Sequence, residues 1–166
     1  MYKQKSEIIE QIQSYHRQLA NMYLDLYEKV EDAEIKSIIN DLYQHEKSRC
    51  TYLDKHLKVA KLMNCWLDIP YSRLSDQISE CFKNLKTGPV ITINDIIKIE
   101  IHFDNCLIKL YNILASENEL NESLTNIFYY MLKKTKEEEI LLTKMFQNSK
   151  NQLTAISELK DFSQLN

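Results

Sequence analysis

Residues 35–60 read IKSIINDLYQHEKSRCTYLDKHLKVA. Ile35, Ile39, Leu42, Leu53, Leu57 and Ala60 recur at steps of three and four, the spacing that returns a side chain to one face of an α-helix. Glu46 and Arg49 fill the two steps between Leu42 and Leu53, where the period asks for apolar residues. The stretch therefore predicts a long helix that buries one face and carries two charges at the middle of that face.

The same period extends in both directions. Ile8, Ile12, Tyr15, Leu19, Met22, Leu26 and Val30 predict a helix over about 6–30. Asp32 is placed to cap the next helix, over about 33–62. The pattern breaks from about 63 to 92, a stretch that contains Pro70 and the Gly88–Pro89 pair, with room for a short helix over about 74–85. Thr92 with Asp95 three residues later forms a capping-box pattern. It opens a helix to about Ala115 along Ile93, Ile97, Ile101, Asp104, Ile108 and Tyr111. Leu124, Phe128, Met131, Thr135, Glu138, Leu142 and Met145 predict a helix over about 122–147. Leu153, Ile156, Leu159 and Phe162 add a short C-terminal helix over about 151–163.

With one glycine, two prolines and 44% hydrophobic residues in 166, the chain has too few turn formers for a sheet and enough apolar residues for one core. The expectation is an all-α single domain over 1–166. Short connections make helices one and two, and three and four, antiparallel pairs. The roughly thirty residues of the crossover, at about 3.3 Å each when extended, reach the length of a bundle.

Charge narrows the partners. The net charge is −3 and the pI about 5.8, with lysines and acids interspersed and no basic block. That argues against nucleic acid and anionic membranes, which need clustered Lys and Arg. No run reaches the roughly 18 apolar residues of a membrane span, and the polar start MYKQKSEIIEQ does not read as a signal peptide. Cys50, Cys65, Cys81 and Cys106 form no C-x-x-C pair. They read as reduced thiols of a cytoplasmic protein with no visible resolving partner.

His16, Glu46 with Arg49, Asp104 and Glu138 each lie within about a turn of a helix midpoint. Midpoints of similar helices share a layer, so these residues predict one buried polar layer. An isolated buried charge costs several kcal/mol, so the groups must pair, bind an ion or change protonation state.

These residues carry a resemblance. HRQLANMY (16–23) precedes EKSRCTYL (46–53), and DNCLIKLY (104–111) precedes EEILLTKM (138–145), in one frame. Over about residues 10–147 the chain resembles the ferritin-like, rubrerythrin-like di-iron carboxylate proteins, whose fold is a four-helix bundle with one long crossover. In that family each pair runs from a glutamate, seven residues before an aromatic, to a Glu-x-x-His motif. The resemblance implies ligand positions at His16, Glu46, Asp104 and Glu138. Arg49 and Leu141 stand where the two motif histidines would be. Leucine cannot ligate a metal, and arginine has no lone pair to offer.

Two expectations follow. In the first, no cofactor is bound, and Arg49 forks onto Glu46, Glu138 or Asp104 as a buried ion-pair network in a non-catalytic structural or partner-binding bundle. In the second, His16, Glu46, Asp104 and Glu138 hold iron, manganese or zinc, as a rubrerythrin-like oxidoreductase or iron-handling protein would. The resemblance also implies a homodimer or higher homo-oligomer. Tyr23, Tyr27 and Tyr111 read as core, His56 as a helix-surface residue, and Lys133, Lys134 and Lys136 with Glu137 and Glu139 as a solvated face.

Overall fold

The structure is a computed structural model that describes residues 3–63, 66–67, 71–83, 90–116, 125–140, 142–144 and 147. Among the described residues the regular structure is helical apart from one two-residue strand pair. The elements are β1 (Lys3–Gln4), α1 (Lys5–Lys29), α2 (Ala33–Met63), β2 (Trp66–Leu67), α3 (Tyr71–Phe82) and α4 (Ile93–Ser116). A further helix, α5, covers 125–140. Leu141, Cys65 and the expected C-terminal helix over 151–163 lie outside the described residues.

Helix ends follow the capping chemistry. Asp32 Oδ1 accepts the backbone N–H of Glu34 at 2.9 Å and of Ile35 at 3.0 Å, and so satisfies two of the orphan donors that open α2. At the start of α4, Asp95 N–H donates to Thr92 Oγ1 at 3.2 Å, while Thr92 N–H donates back to Asp95 Oδ2 at 3.0 Å. The crossover helix α3 occupies Tyr71–Phe82, about one turn earlier than the expected 74–85. Its bounds follow Pro70, which suits the turn before a helix rather than its interior.

The long helices close a ring. α1 and α2 are antiparallel neighbours joined by three residues, and β1 pairs antiparallel with β2 at the end where α1 begins and α2 finishes. α1 also packs on α4, with Tyr15 near Phe103 and Tyr23 bonded to Glu100, so the two helices run in opposite directions. α5 packs on α2 through Tyr52 and Tyr130, with ring centroids 4.9 Å apart, and on α4 through Tyr111 and Phe128. α3 lies across α1 and α4, where the Phe82 ring meets Tyr15 at 5.1 Å and Phe103 at 5.0 Å.

The core is Ile9, Ile12, Leu19, Ile39, Leu53, Phe103, Leu107 and Phe128 with their neighbours, all fully buried. Each such side chain contributes about 1.5–3 kcal/mol relative to exposure, which offsets the cost of the polar layer among them. On α4 the buried face is wider than the expected stripe: Ile97, Asp104 and Tyr111 of that stripe are buried and Ile93, Ile101 and Ile108 sit at the rim, while Ile96, Glu100, Phe103, Leu107, Leu110 and Leu114 also face the core. Tyr27 is corrected from core to surface: it is 38% exposed, with the Lys36 ammonium 5.1 Å from its ring centroid. Lys134 pairs with Glu137 at 3.1 Å on a solvated face. No described helix is long and apolar enough to cross a membrane.

Candidate functional site: a buried arginine-centred polar layer

All four helices of the ring supply polar side chains to one level of the bundle. His16 comes from α1, Glu46 and Arg49 from α2, Asp104, Glu100 and Tyr111 from α4, and Thr135 and Glu138 from α5. His16, Glu46 and Asp104 are fully buried, and Arg49 is 8% exposed. Glu138 departs from the expected burial. Its side chain is 22% exposed and stands at the rim. There it borders a cleft of about 330 Å³ between α2 and α5 that opens onto Arg49.

Arg49 is the hub. One turn separates it from Glu46 on the same helix, and Nη1 donates to Glu46 Oε1 at 2.5 Å. Nη2 donates to Glu138 Oε2 across the α2–α5 packing and lies 3.9 Å from Asp104 Oδ1. The second oxygen of Glu46 meets His16 Nδ1 at 2.5 Å, and His16 Nε2 meets the Tyr111 hydroxyl at 2.6 Å. With Glu46 ionised, Nδ1–H donates to it, which in the neutral ring leaves Nε2 to accept the Tyr111 O–H. One continuous chain thus runs Tyr111–His16–Glu46–Arg49–Glu138. His45 Nδ1 stands 3.5 Å from the outer oxygen of Glu138.

Charge in the layer is divided unequally. Burial pushes the Glu46 carboxyl up, but Arg49 and His16 outweigh it and hold Glu46 below its ordinary value. Burial pushes Arg49 down, and Glu46 and Asp104 more than reverse this. Asp104 has the opposite outcome. Burial pushes it up, Arg49 resists, Glu46 and Glu139 add to the rise, and the group settles at about 7. Neither Asp104 oxygen has a hydrogen-bond partner among the described residues, and Thr135 Oγ1 is likewise unpartnered. Glu100, one turn before Asp104, is pushed well above its ordinary value by burial and by Asp104, and it accepts the Tyr23 hydroxyl. The arrangement supports an ionised Glu46 on a guanidinium that also reaches Glu138, with two neighbouring acids driven toward their neutral forms.

The residues do not form a metal cradle. The guanidinium stands between Glu46 and Glu138, both His16 nitrogens are engaged, and among the described residues no three His, Cys, Asp or Glu side chains converge on one point. The structure brings together all four expected ligand positions and Arg49. It adds Glu100, Tyr111 and Thr135, of which Glu100 was missing from the sequence reading altogether. Glu100 lies one turn before Asp104 on the same buried side of α4.

A second polar cluster lies where α3 meets α4. The Cys81 thiol donates to the Gln77 carbonyl at 3.1 Å. Interaction with Cys81 holds Cys106 down to about 7, and interaction with Cys106 together with burial pushes Cys81 up. Burial raises the separate Cys50 thiol to about 11.

No protein-family model, curated protein or solved structure matches this chain.

Proposed function

We propose that the chain is a ferritin-like bundle in which an arginine-centred ion-pair layer stands at the level of a former di-iron site. It acts as a non-catalytic structural or partner-binding protein. The observation that carries this reading is the fork of Arg49 onto Glu46 and Glu138, because a fixed cation between the two carboxylates supplies the positive charge that a metal would otherwise bring. The repeated frame of 16–53 and 104–145 supports descent from a duplicated hairpin. The antiparallel pair α1–α2, and the packing of α5 on α4 through Tyr111 and Phe128, support the same descent. Self-association through a helix face belongs to this reading, and Tyr129 and Ile140 give α5 exposed apolar surface for it.

A second reading keeps a single iron, manganese or zinc ion beside Asp104. The two unpartnered oxygens of that buried carboxyl favour it.

Adding iron(II) without oxygen, then admitting air and recording the visible spectrum, separates the readings. The native chain is expected to stay colourless. Arg49→His combined with Leu141→His, which returns imidazoles to both motif positions, is expected to take up iron. Uptake by the native chain would favour the second reading. Failure of the double variant to bind iron while still folded would count against the alignment with the di-iron family.

A further inference from the structure

The cleft between α2 and α5 holds about 330 Å³ and opens onto Arg49. Its lining is of two kinds. The Tyr52 and Tyr130 rings, with centroids 4.9 Å apart, and the Met131 side chain make it apolar. Arg49, Lys134 and His45 bring basic groups to it, against Glu138 as the one carboxylate among the described lining residues. Sites for small molecules share this build: a concavity of roughly 300–1,000 Å³ between elements, apolar and aromatic over most of its wall, with a few polar groups that fix orientation.

Glu138 holds the polar end. Its Oε2 accepts from Arg49 Nη2, yet its side chain is 22% exposed, against 9% for Arg49. Separation therefore costs the two partners unequally. A carboxylate at the rim regains water when it leaves, and His45 Nδ1 already stands 3.5 Å from its outer oxygen. The buried guanidinium has no such recourse and needs an anion in the same place. A carboxylate that enters the cleft supplies one, and its planar shape matches the guanidinium fork. Among the described residues, two of the five Arg49 N–H groups donate to Glu46 and Glu138, so the fork has further donors to give. The neighbouring acids limit the charge of the guest. Glu46 lies on Nη1 at 2.5 Å and Asp104 Oδ1 is 3.9 Å from Nη2. A guest with two negative charges meets that repulsion twice over, whereas a singly charged one replaces Glu138 like for like.

We propose that this cleft binds a small aromatic carboxylate, whose carboxylate displaces Glu138 from Arg49 and whose ring packs against Tyr52 and Tyr130. Aromatic rings in offset or tilted contact attract one another beyond the area they bury, and the two tyrosines offer a third ring such a contact. Glu138 is then an internal competitor that keeps the buried guanidinium paired while the cleft is empty. Lys134 is half-exposed beside the cleft and draws the anion toward it. The inference uses the Arg49 fork but not descent from a di-iron protein, so iron uptake tests that reading and ligand binding tests this one.

The test titrates phenylacetate into the full chain by calorimetry, with 2-phenylethanol, acetate and phenyl phosphate as separate probes. The native chain is expected to bind one phenylacetate, and each of the other probes about tenfold more weakly or worse. Glu138→Gln removes the competing charge and is expected to bind phenylacetate about tenfold more tightly. Tyr130 is an exposed residue of α5, so Tyr130→Ala is expected to fold, as thermal melting checks, and to bind about tenfold more weakly. No saturable binding by either the native chain or Glu138→Gln would overturn the proposal. So would 2-phenylethanol binding as tightly as phenylacetate, phenyl phosphate binding more tightly, or Glu138→Gln and folded Tyr130→Ala both matching the native affinity.

Discussion

Arg49→Met is expected to destabilise the fold by about 3–5 kcal/mol, the range for removing one partner of a buried ion pair. At the size of this chain that corresponds to a melting point lower by roughly 10 °C or more. Methionine matches the length of the arginine stem, so packing is largely kept and the loss is electrostatic. The cost falls on Glu46, which is fully buried and would retain only His16 against its charge. Glu138 is partly exposed and recovers solvent, so it adds little. Combining Arg49→Met with Glu46→Gln removes the stranded charge and is expected to restore at least half of the loss. Thermal melts of the four proteins of this cycle give the coupling directly. Arg49→Met within about 1 kcal/mol of the native chain would mean that the guanidinium is not what holds Glu46 in the core.

Asp104→Asn has the opposite sign. Asp104 sits at about 7, raised by burial against the pull of Arg49, while an unfolded aspartate titrates near 3.8. Between those values the folded chain holds a proton that the unfolded chain has released, so this group makes stability fall as pH rises from about 4 to about 7. Above that window the full penalty is present. Glu100 contributes in the same direction, and Glu46 and Glu139 face Asp104 with charges that add to the penalty. Glu46 itself works the other way. Its carboxyl is held low, so its contribution is present above its unfolded value and is lost as the solution becomes more acid. Asparagine keeps the shape of the neutral acid at every pH. Asp104→Asn is therefore expected to be more stable than the native chain at pH 8 by about 2–4 kcal/mol, with a flatter profile between pH 4 and 7. Urea denaturation at a series of pH values measures both quantities. A variant less stable than the native chain at pH 8 would show that the ionised carboxylate is needed beside Arg49.

Much of this was legible in residue spacing. The stripes of α1 and α2 are regular, and their interruption by Glu46 and Arg49 marks the layer because any phase that places both charges in water also exposes Ile39, Leu53 and Leu57. Asp32 and the Thr92–Asp95 pair mark helix starts through local chemistry that needs no tertiary contact. α4 was harder. Isoleucines at 93, 96, 97, 99, 101 and 108 make several faces apolar at once, so the period does not choose between them. The choice falls to packing against α1, α3 and α5, which turns Glu100 inward and Ile101 to the rim. Glu138 fell at the edge of the layer for a similar reason: a helix at a ring corner buries a narrower face than the stripe alone implies.

Pairing explains why the layer is tolerated. Each ionised group in it has a specific partner, and the group with the poorest partner, Asp104, is the one displaced toward neutrality. A metal would have to displace Arg49 from Glu46 and Glu138 before it met two carboxylates together. The metal content of the native chain, purified without chelator and measured by elemental analysis against protein concentration, tests this most directly. An arginine-centred layer predicts no stoichiometric iron, manganese or zinc. One or more such ions per chain would contradict it.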